Sequence, residues 1–368
     1  RLGTAGQLDL STVKVRATSE NLRPTLAVLA DVVLNPSFPE DQFRIQKERR
    51  LAQIGQEKAQ ANALALRVLP GLLYGAGHAY GRPLSGSGTE RSVEAVTRED
   101  LARWHAQWFR PGSAHVIVAG DTTMQKVLPA LEEAFGAWSP GKAPAKSVAS
   151  VARTAGGRVY LIDKPDAPQS IIVAAHVSEP GGQAEEHAVE TVLRNFGGMA
   201  TSRLNRNLRL DKHWSYGTQG FIGDSRGQRP FIVLAPVQTD RTKESMVEVA
   251  KEIRGLAGER PLAGEEFASI MRNMTLRLPA RFETLDALES AALRMINYGL
   301  PGDYWSRYAG DVRSLTETQL NAAAKKFVRP DEVIWIVVGD LRRVEKGVRE
   351  LGFGEVIRLN ADGEPAGR

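Results

Sequence analysis

Residues 97–121 read TREDLARWHAQWFRPGSAHVIVAGD, and residues 316–340 read TETQLNAAAKKFVRPDEVIWIVVGD. Both blocks begin with a threonine, carry a leucine four residues later, continue through an Arg-Pro pair and close on Gly-Asp. Every one of these landmarks recurs at the same offset of 219 positions (316 − 97, 339 − 120), without a gap. The chain therefore contains an internal repeat, and repeats of this length indicate that one folding unit is used twice.

Each block predicts a helix, a turn and a strand. Thr97 and Thr316 suit the N-cap position, where a side-chain oxygen accepts a hydrogen bond from the first helical turn. The Arg-Pro pair ends the helix, because proline lacks an amide hydrogen and disfavours helix in the residue before it. The apolar runs His115–Ala119 and Val333–Val338 are continuous rather than alternating. Such runs predict central strands that are buried on both faces.

Looser correspondences extend the repeat towards the N-terminus. Strands are predicted at Thr12–Ala17 and Phe231–Val237, and each is followed by two helical stretches. The second half also contains two earlier strands, at Arg158–Asp163 and Ser170–His176, which have no counterpart in the first half. We therefore predict an α+β protein of two homologous domains, with the first domain truncated at its N-terminus. The predicted domains are residues 1–138 and 158–368, and the Pro- and Gly-rich residues 139–157 are predicted to be a flexible linker.

Composition excludes several classes of protein. Of the 368 residues, 42% are hydrophobic and 25% are charged, which is typical of a globular protein. No apolar run approaches the length of a membrane span. The chain has no cysteine, which excludes disulfides, thiol catalysis and cysteine-ligated metals. The net charge of +5 is a weak excess with basic and acidic residues interleaved, so we predict no nucleic-acid binding. The chain begins at Arg1 without a visible signal sequence, so we expect a processed or trimmed piece.

Several short patterns occur in a fixed order along the chain: LNPSF at 34–38, HAYG at 78–81, RP at 110–111 with GD at 120–121, FGG at 196–198, SRL at 202–204, LR at 208–209 and SY at 215–216. In this order and spacing they resemble the pitrilysin/insulysin-type zinc metallopeptidases, the family that includes mitochondrial processing peptidase. The match covers nearly the whole chain and departs at Ala79, where relatives usually have proline. The resemblance implies domains built on antiparallel sheets flanked by helices and arranged in pairs that close around a peptide.

The zinc-binding motif of the active relatives is not found. They hold zinc with an inverted His-x-x-Glu-His helix, in which two imidazoles four residues apart share one helix face. No two of the six histidines in this chain are four apart. The nearest fragment begins at His187 and has Thr191 where the second histidine would stand. We therefore expect His187 to be a solvated helix residue.

The position of the third zinc ligand is also substituted. Active relatives carry two glutamates seven residues apart on the helix after Phe38, and the second of them binds zinc. Alignment on Asn35-Pro36 places Gln46 and Gln53 at these positions. A neutral amide does not offset the charge of a dication as a carboxylate does. We predict no catalytic residue and no metal site in this chain, so zinc is expected only in an active partner.

Two residues are candidates for substrate binding. The second domain of active relatives supplies an arginine and, seven residues later, a tyrosine that reach the substrate, and Arg209 and Tyr216 match this pattern. Arginine can bind a peptide carbonyl with its fork of donors, and a tyrosine hydroxyl can donate to a developing oxyanion. We expect Arg209 near the end of a helix and Tyr216 at the start of a strand, both near one sheet edge and facing the cavity between domains. Alternatively, Arg209 belongs to a solvated basic face with Arg203 and Arg206, while Tyr216 simply packs.

The sequence thus favours a non-catalytic half of a zinc metallopeptidase, which pairs with a zinc-bearing half and helps bind a peptide or unfolded polypeptide. That half is either another chain or a missing front part of the same polypeptide. The resemblance is closest to bacterial versions, which favours the periplasm and leaves the cytoplasm open. The alternative is a purely structural scaffold that keeps the fold and binds no peptide. An active enzyme that merely lacks its zinc helix would need a third ligand, which the sequence does not offer.

Overall fold

The computed structural model describes residues 2–153, 156–182 and 184–366, so Thr154 and Ala155 of the predicted linker lie outside the described residues. The strands are β1 (Leu2–Gly6), β2 (Ser11–Val15), β3 (Arg158–Asp163), β4 (Gln169–Pro180), β5 (Gln219–Ile222), β6 (Gln228–Gln238), β7 (Ile334–Gly339) and β8 (Glu355–Leu359). The α-helices are α1 (Leu22–Leu34), α2 (Glu40–Ala59), α3 (Ala61–Tyr74), α4 (Glu90–Ala95), α5 (Arg98–Trp108), α6 (Met124–Phe135), α7 (Glu186–Phe196), α8 (Arg203–Asn205), α9 (Thr242–Arg254), α10 (Gly264–Leu276), α11 (Leu285–Tyr298), α12 (Tyr304–Arg313), α13 (Glu317–Phe327) and α14 (Leu341–Glu350). Within the described residues, no helix combines the length and the hydropathy needed to cross a bilayer.

The chain forms two compact units that are discontinuous in sequence. The first unit contains residues 1–54, 86–147 and 279–299, and the second contains residues 55–85, 148–278 and 300–368. Helix α3 of the N-terminal half thus belongs to the second unit, and α11 of the C-terminal half belongs to the first. The predicted domain boundaries follow the sequence repeat instead of these compact units, and they stay a prediction.

The second unit is built on a six-stranded sheet with the order β5-β6-β4-β7-β3-β8. The α+β class is confirmed, with one difference of detail, since the sheet is mixed. The pairs from β5 to β7 are antiparallel, whereas β3 pairs in parallel with both β7 and β8. A short turn joins β3 to β4, so these strands run in opposite directions on either side of β7. Strand β7 must therefore be antiparallel to one neighbour and parallel to the other.

The sheet buries apolar side chains on both faces. Along β3, Val159 and Leu161 belong to one buried cluster, while Tyr160 and Ile162 belong to the other. This division follows from the alternation of side chains along a strand. The first cluster includes side chains of α7, α9, α10 and α13, and the second includes side chains of α3. A helix from the N-terminal half therefore supplies the cover that keeps the second face of this sheet out of water.

The repeated blocks fold alike in their first part. Thr97 and Thr316 are the N-caps of α5 and α13, as predicted. The hydroxyl of Thr97 accepts a hydrogen bond from the amide of Asp100, and Thr316 accepts one from the amide of Gln319. The side chains of Asp100 and Gln319 in turn accept from the threonine amides, so both helices begin with a reciprocal capping box.

The apolar runs of the two blocks then diverge. Strand β7 is fully buried, as predicted, but residues 115–119 form no strand. Val116 is 58% exposed and Val118 is 44% exposed, so the prediction of a buried strand at His115–Ala119 is wrong. The two runs differ because only one of them has partner strands. β7 pairs with β3 and β4, and the first half has no described strands that correspond to these two. An apolar run without partner strands has nowhere to place its main-chain hydrogen bonds.

The described part of the predicted flexible linker is tied down in several places. In the first unit, the amide of Gly112 donates to Gly141 (2.9 Å) and the amide of Ala143 donates to Ser113 Oγ (2.9 Å). In the second unit, the amide of Val151 donates to Gln228 Oε1 (2.7 Å), and Gln228 Nε2 donates back to Val151 O (3.2 Å). Neither a helix nor a strand is assigned in the described part of the segment, and its flexibility stays a prediction.

A buried histidine lies inside the sheet of the second unit. His176 on β4 is fully buried and stacks on Phe231, with 4.9 Å between ring centroids. Its Nε2 accepts a hydrogen bond from the amide of Arg329 (3.1 Å), so the neutral ring suits its surroundings. Burial lowers the pKa of His176 from 6.5 to about 4, and the nearby Arg329 charge acts in the same direction, although the hydrogen bond to Val177 O opposes them.

This histidine makes the second unit sensitive to acid. The unfolded chain takes up a proton at this position as the pH falls through 6.5, whereas the folded chain does so only near pH 4. Stability should therefore fall between these values, by about 2–3 kcal/mol. In H176Q, the difference in urea stability between about pH 7 and about pH 4.5 should shrink by a similar amount. H115Q, which changes an exposed histidine, is the control. An equal acid sensitivity of H176Q and the unaltered chain would contradict the assignment.

Candidate functional site

The candidate site lies in the second unit, in the connection between α8 and β5. After Asn205 the helix widens into a π-helical turn over Arg206–Asp211, in which the amide of Lys212 donates to the carbonyl of Asn207 (3.1 Å). Leu208 points into the core and is fully buried, while Arg209 is exposed. Turns of this kind are rare and occur frequently at functional sites.

The chain then reverses and returns to the same point. His213 adopts a left-handed backbone conformation (φ 57°), which is uncommon for residues other than glycine. This reversal lets the amides of Trp214 and Ser215 both donate to the carbonyl of Leu208, at 2.9 and 3.2 Å. Arg209 directly follows Leu208, and Tyr216 directly follows Ser215. The two predicted residues therefore flank a single backbone junction, which the sequence alone could not show.

Both side chains point away from the protein. Tyr216 is 89% exposed, and Arg209 is exposed as well. Within the part of the chain that the structure describes, neither the Tyr216 hydroxyl nor the Arg209 guanidinium has a hydrogen-bond or ion-pair partner. The prediction that Tyr216 begins a strand is wrong, because β5 starts only at Gln219. An exposed tyrosine beside an unpaired arginine has the composition of a binding surface, where these two residue types are enriched.

A buried asparagine holds this loop to the sheet. Asn205 Oδ1 accepts from the amide of Thr218 (2.8 Å), and Asn205 Nδ2 donates to the carbonyl of Thr218 (3.0 Å) and to that of Met199 (2.8 Å). The side-chain amide thus pairs with both main-chain groups of Thr218, as a neighbouring strand would. Ser215 Oγ adds a hydrogen bond to the carbonyl of Pro236 (2.5 Å). No sequence signal marked Asn205, because its role depends on a partner thirteen residues away.

Strand β5 forms one edge of the sheet, and only a short part of its outer edge is accessible to another strand. The amide of Gly223 donates to Pro230, which places Gly223 among the residues whose main chain faces β6. By alternation, Gly220 and Ile222 direct their main-chain groups to the outer edge. At Gly220 this edge is crowded, since a Cβ added to Gly197 would lie 2.0 Å from the amide nitrogen of Gly220. An extended peptide could therefore pair with β5 only from Ile222 onwards.

The alternative interpretation placed Arg203, Arg206 and Arg209 on one solvated basic face, and it is wrong for Arg203. This side chain is buried, and its Nε and Nη2 donate to the two carboxylate oxygens of Glu266, each at 2.6 Å. Burial by itself raises the pKa of Glu266, but the hydrogen bonds from Arg203 and Asn195 hold it below its ordinary value. Arg203 therefore stabilises the interior, and only Arg206 and Arg209 remain on the surface.

The residues that were compared with the zinc motif of active relatives have other surroundings. Gln46 is exposed on α2, and Gln53, which stands at the position of the glutamate ligand, accepts a hydrogen bond from Arg50 (3.1 Å). A guanidinium at this distance disfavours a bound dication. The prediction that His187 is solvated is wrong, because its side chain is only 15% exposed and stacks on Tyr304, with 5.2 Å between ring centroids. Across residues 2–153, 156–182 and 184–366, no three His, Asp or Glu side chains form a cluster that could hold a metal ion.

Comparison with known families gives one match. Residues 95–274 match the model described as the Peptidase M16 inactive domain. The matched stretch includes both Arg209 and Tyr216. Among curated proteins, the chain is 25% identical over 262 residues to an uncharacterized zinc protease of Mycobacterium leprae. That alignment covers 69% of this chain and 58% of the relative, so the chain matches a little over half of the relative's length.

Two solved structures show the same fold. The peptidase M16 inactive domain from Pseudomonas fluorescens superposes with a TM-score of 0.85 at 20% identity, covering 92% of this chain and 81% of that one. The first half of the periplasmic protease PqqL from Escherichia coli superposes with a TM-score of 0.71 at 12% identity, covering 97% of this chain and 81% of that one. At these identities the likeness concerns the fold alone. Together with the family match it confirms the predicted resemblance to the pitrilysin/insulysin-type (M16) peptidases, and residues 95–274 match the inactive domain of that family.

Proposed function

We propose that this chain pairs with a zinc-bearing peptidase half and helps to hold an extended peptide through Arg209 and Tyr216. The observation that carries the proposal is the 89% exposure of Tyr216 beside an arginine that has no partner in the described residues. The zinc and the water that it activates belong to the other half. That half is a separate chain or a preceding part of the same polypeptide.

The surroundings of the two side chains suit this role. Their backbones are held by the double hydrogen bond to Leu208 O and by the Asn205 amide. A group fixed in this way loses little additional freedom when a ligand binds, which favours affinity. The Arg209 fork can bind a peptide carbonyl, and the Tyr216 hydroxyl can donate to a second one. Neither group generates a nucleophile, so the chain alone is proposed to be inactive.

The order of elements supports a tandem repeat as part of this proposal. Strand β2 is followed by α1 to α5 and, after the unpaired run at 115–119, by α6. Strand β6 is followed by the same number of helices, α9 to α13, and then by β7 and α14. We infer that both halves descend from one peptidase-type domain.

We also propose a periplasmic location, and the description of PqqL as a periplasmic protease supports it. The absence of cysteine is equally compatible with the cytoplasm, which stays the alternative. Export of a reporter fused behind the natural start of the gene distinguishes the two.

Removing either polar group should weaken peptide binding without destabilising the protein. In Y216F the loss of one hydroxyl should raise the Kd of a labelled extended peptide roughly threefold to tenfold. R209A should raise it roughly tenfold or more, because a charge-assisted hydrogen bond is lost. Fluorescence anisotropy measures both values. Melting temperatures should not change, since neither side chain has a described partner.

The control for this experiment is R343A, which removes another exposed arginine from α14. It should leave the Kd unchanged. If Y216F and R209A also bind peptide like the unaltered chain, the proposal fails, and the scaffold interpretation takes its place.

Zinc should not bind this chain stoichiometrically. Isothermal titration of zinc into the metal-stripped chain should show no tight one-to-one event, and zinc should not raise the melting temperature, because a ligand stabilises only a state that it binds. Tight one-to-one binding would contradict the proposal and would mean that ligands exist outside the family pattern. The Q53E variant shows whether restoring the carboxylate is sufficient to create a site.

A further inference from the structure

We propose that the peptide bound at Arg209 and Tyr216 carries an acidic side chain, which Arg206 selects together with Arg209. This inference rests on the proposed function and adds a class of ligand to it. The surface concerned consists of the exposed side chains of the turn, and we call it the arginine turn. Its members are Arg206, Arg209, Leu210, Asp211, His213 and Tyr216.

The carboxylates that contact Asn207 and Lys212 of this segment are already matched by other groups. Glu248 of α9 accepts a hydrogen bond from Asn207 (2.8 Å) and lies 3.6 Å from Lys212 and 3.7 Å from Lys251. Burial by itself raises the pKa of Glu248, but Asn207 and the two lysine charges hold it below its ordinary value. Glu248 is therefore ionised, and its charge is balanced by the lysines.

The next two carboxylates are engaged in the same way. Glu252 accepts a hydrogen bond from Asn207 (2.8 Å) and pairs with Arg260. Glu266 accepts hydrogen bonds from Nε and Nη2 of the buried Arg203. These acids balance side chains of the interior and of α9, and none of them contacts Arg206 or Arg209.

The positive charges of Arg206 and Arg209 are consequently not balanced by these carboxylates. Within the described residues neither guanidinium has a carboxylate within ion-pair distance. The one acid among the exposed side chains of the turn is Asp211, which has no described partner either. With Lys212 matched to Glu248, two arginines stand against one aspartate, and the surface keeps a positive charge. An incoming carboxylate would complete this pairing.

Both arginines are exposed side chains of the single π-helical turn Arg206–Asp211, three positions apart. Their long side chains carry the guanidinium groups well away from the main chain, so both groups can reach one carboxylate of a bound peptide. Planar guanidinium forks match the geometry of a carboxylate. Tyr216 lies across the junction from Arg209, so Tyr216 and one side of the Arg209 fork can hold the peptide main chain. Arg206 and the other donors of Arg209 can then contact an acidic side chain. Leu210, which is 46% exposed, adds apolar area beside them.

The test uses three blocked peptides that differ only at one central position, which holds Glu, Gln or Lys. Anisotropy with the full chain should give the lowest Kd for the Glu peptide, roughly two- to fivefold below that of the Gln peptide, because exposed ion pairs contribute modestly. The Lys peptide should bind most weakly. The Glu-to-Gln ratio should shrink at about 0.5 M salt, where exposed charges are screened.

The R206Q variant links this preference to the turn. Its Glu-to-Gln ratio should fall towards one, whereas R343Q, which changes an exposed arginine of α14, should keep the full ratio. Equal binding of all three peptides, or tightest binding of the Lys peptide, would overturn the acidic preference and leave the proposed peptide binding intact. A preference that persists in R206Q would also overturn it. Failure of every peptide to bind would overturn both proposals.

Discussion

The pairing of β7 with strands on both of its sides is the constraint on which the second unit depends. β7 is completely apolar and buried, so its main-chain groups must be satisfied within the sheet. β4 satisfies them on one side and β3 on the other. Because these two strands are joined by a short turn, the mixed direction of the sheet follows. The continuous apolar sequence of β7 then requires cover on both faces of the sheet.

That cover explains why the compact units do not follow the order of the chain. Helices of the C-terminal half cover one face of the sheet, and α3 of the N-terminal half covers the other. α3 buries Leu64, Val68 and Leu69 in the cluster on this face. The first unit receives α11 instead, and Lys14 of β2 pairs with Asp286 of that helix (2.5 Å). The interactions with Arg16 and Lys14 hold the pKa of Asp286 at about 2, so this carboxylate stays charged at any ordinary pH.

The candidate site combines rigid backbone with free side chains. Leu208 fixes the turn to the core through its side chain and fixes the returning loop through its carbonyl. The polar groups that hold the loop, Asn205 and Ser215, are buried, so water does not compete with their hydrogen bonds. The side chains of Arg209 and Tyr216 have no described partner in this framework. Because these two side chains do not stabilise the fold, a ligand can bind them at little structural cost. Substitutions at the site should therefore leave the stability of the fold unchanged.

The sequence by itself determined the local elements and the resemblance to a known family. Threonine caps, Arg-Pro stops and apolar runs act within a few residues, so α5, α13 and β7 could be predicted from short patterns. Only the tertiary structure decided which of two similar apolar runs became a strand, because a strand needs partners and 115–119 has none among the described residues. It also decided that Arg203 is buried while Arg206 and Arg209 are exposed. The contacts that separate these arginines come from Glu266 and from the carbonyl of Arg260, more than fifty positions away, and a local pattern carries no information about contacts at that distance.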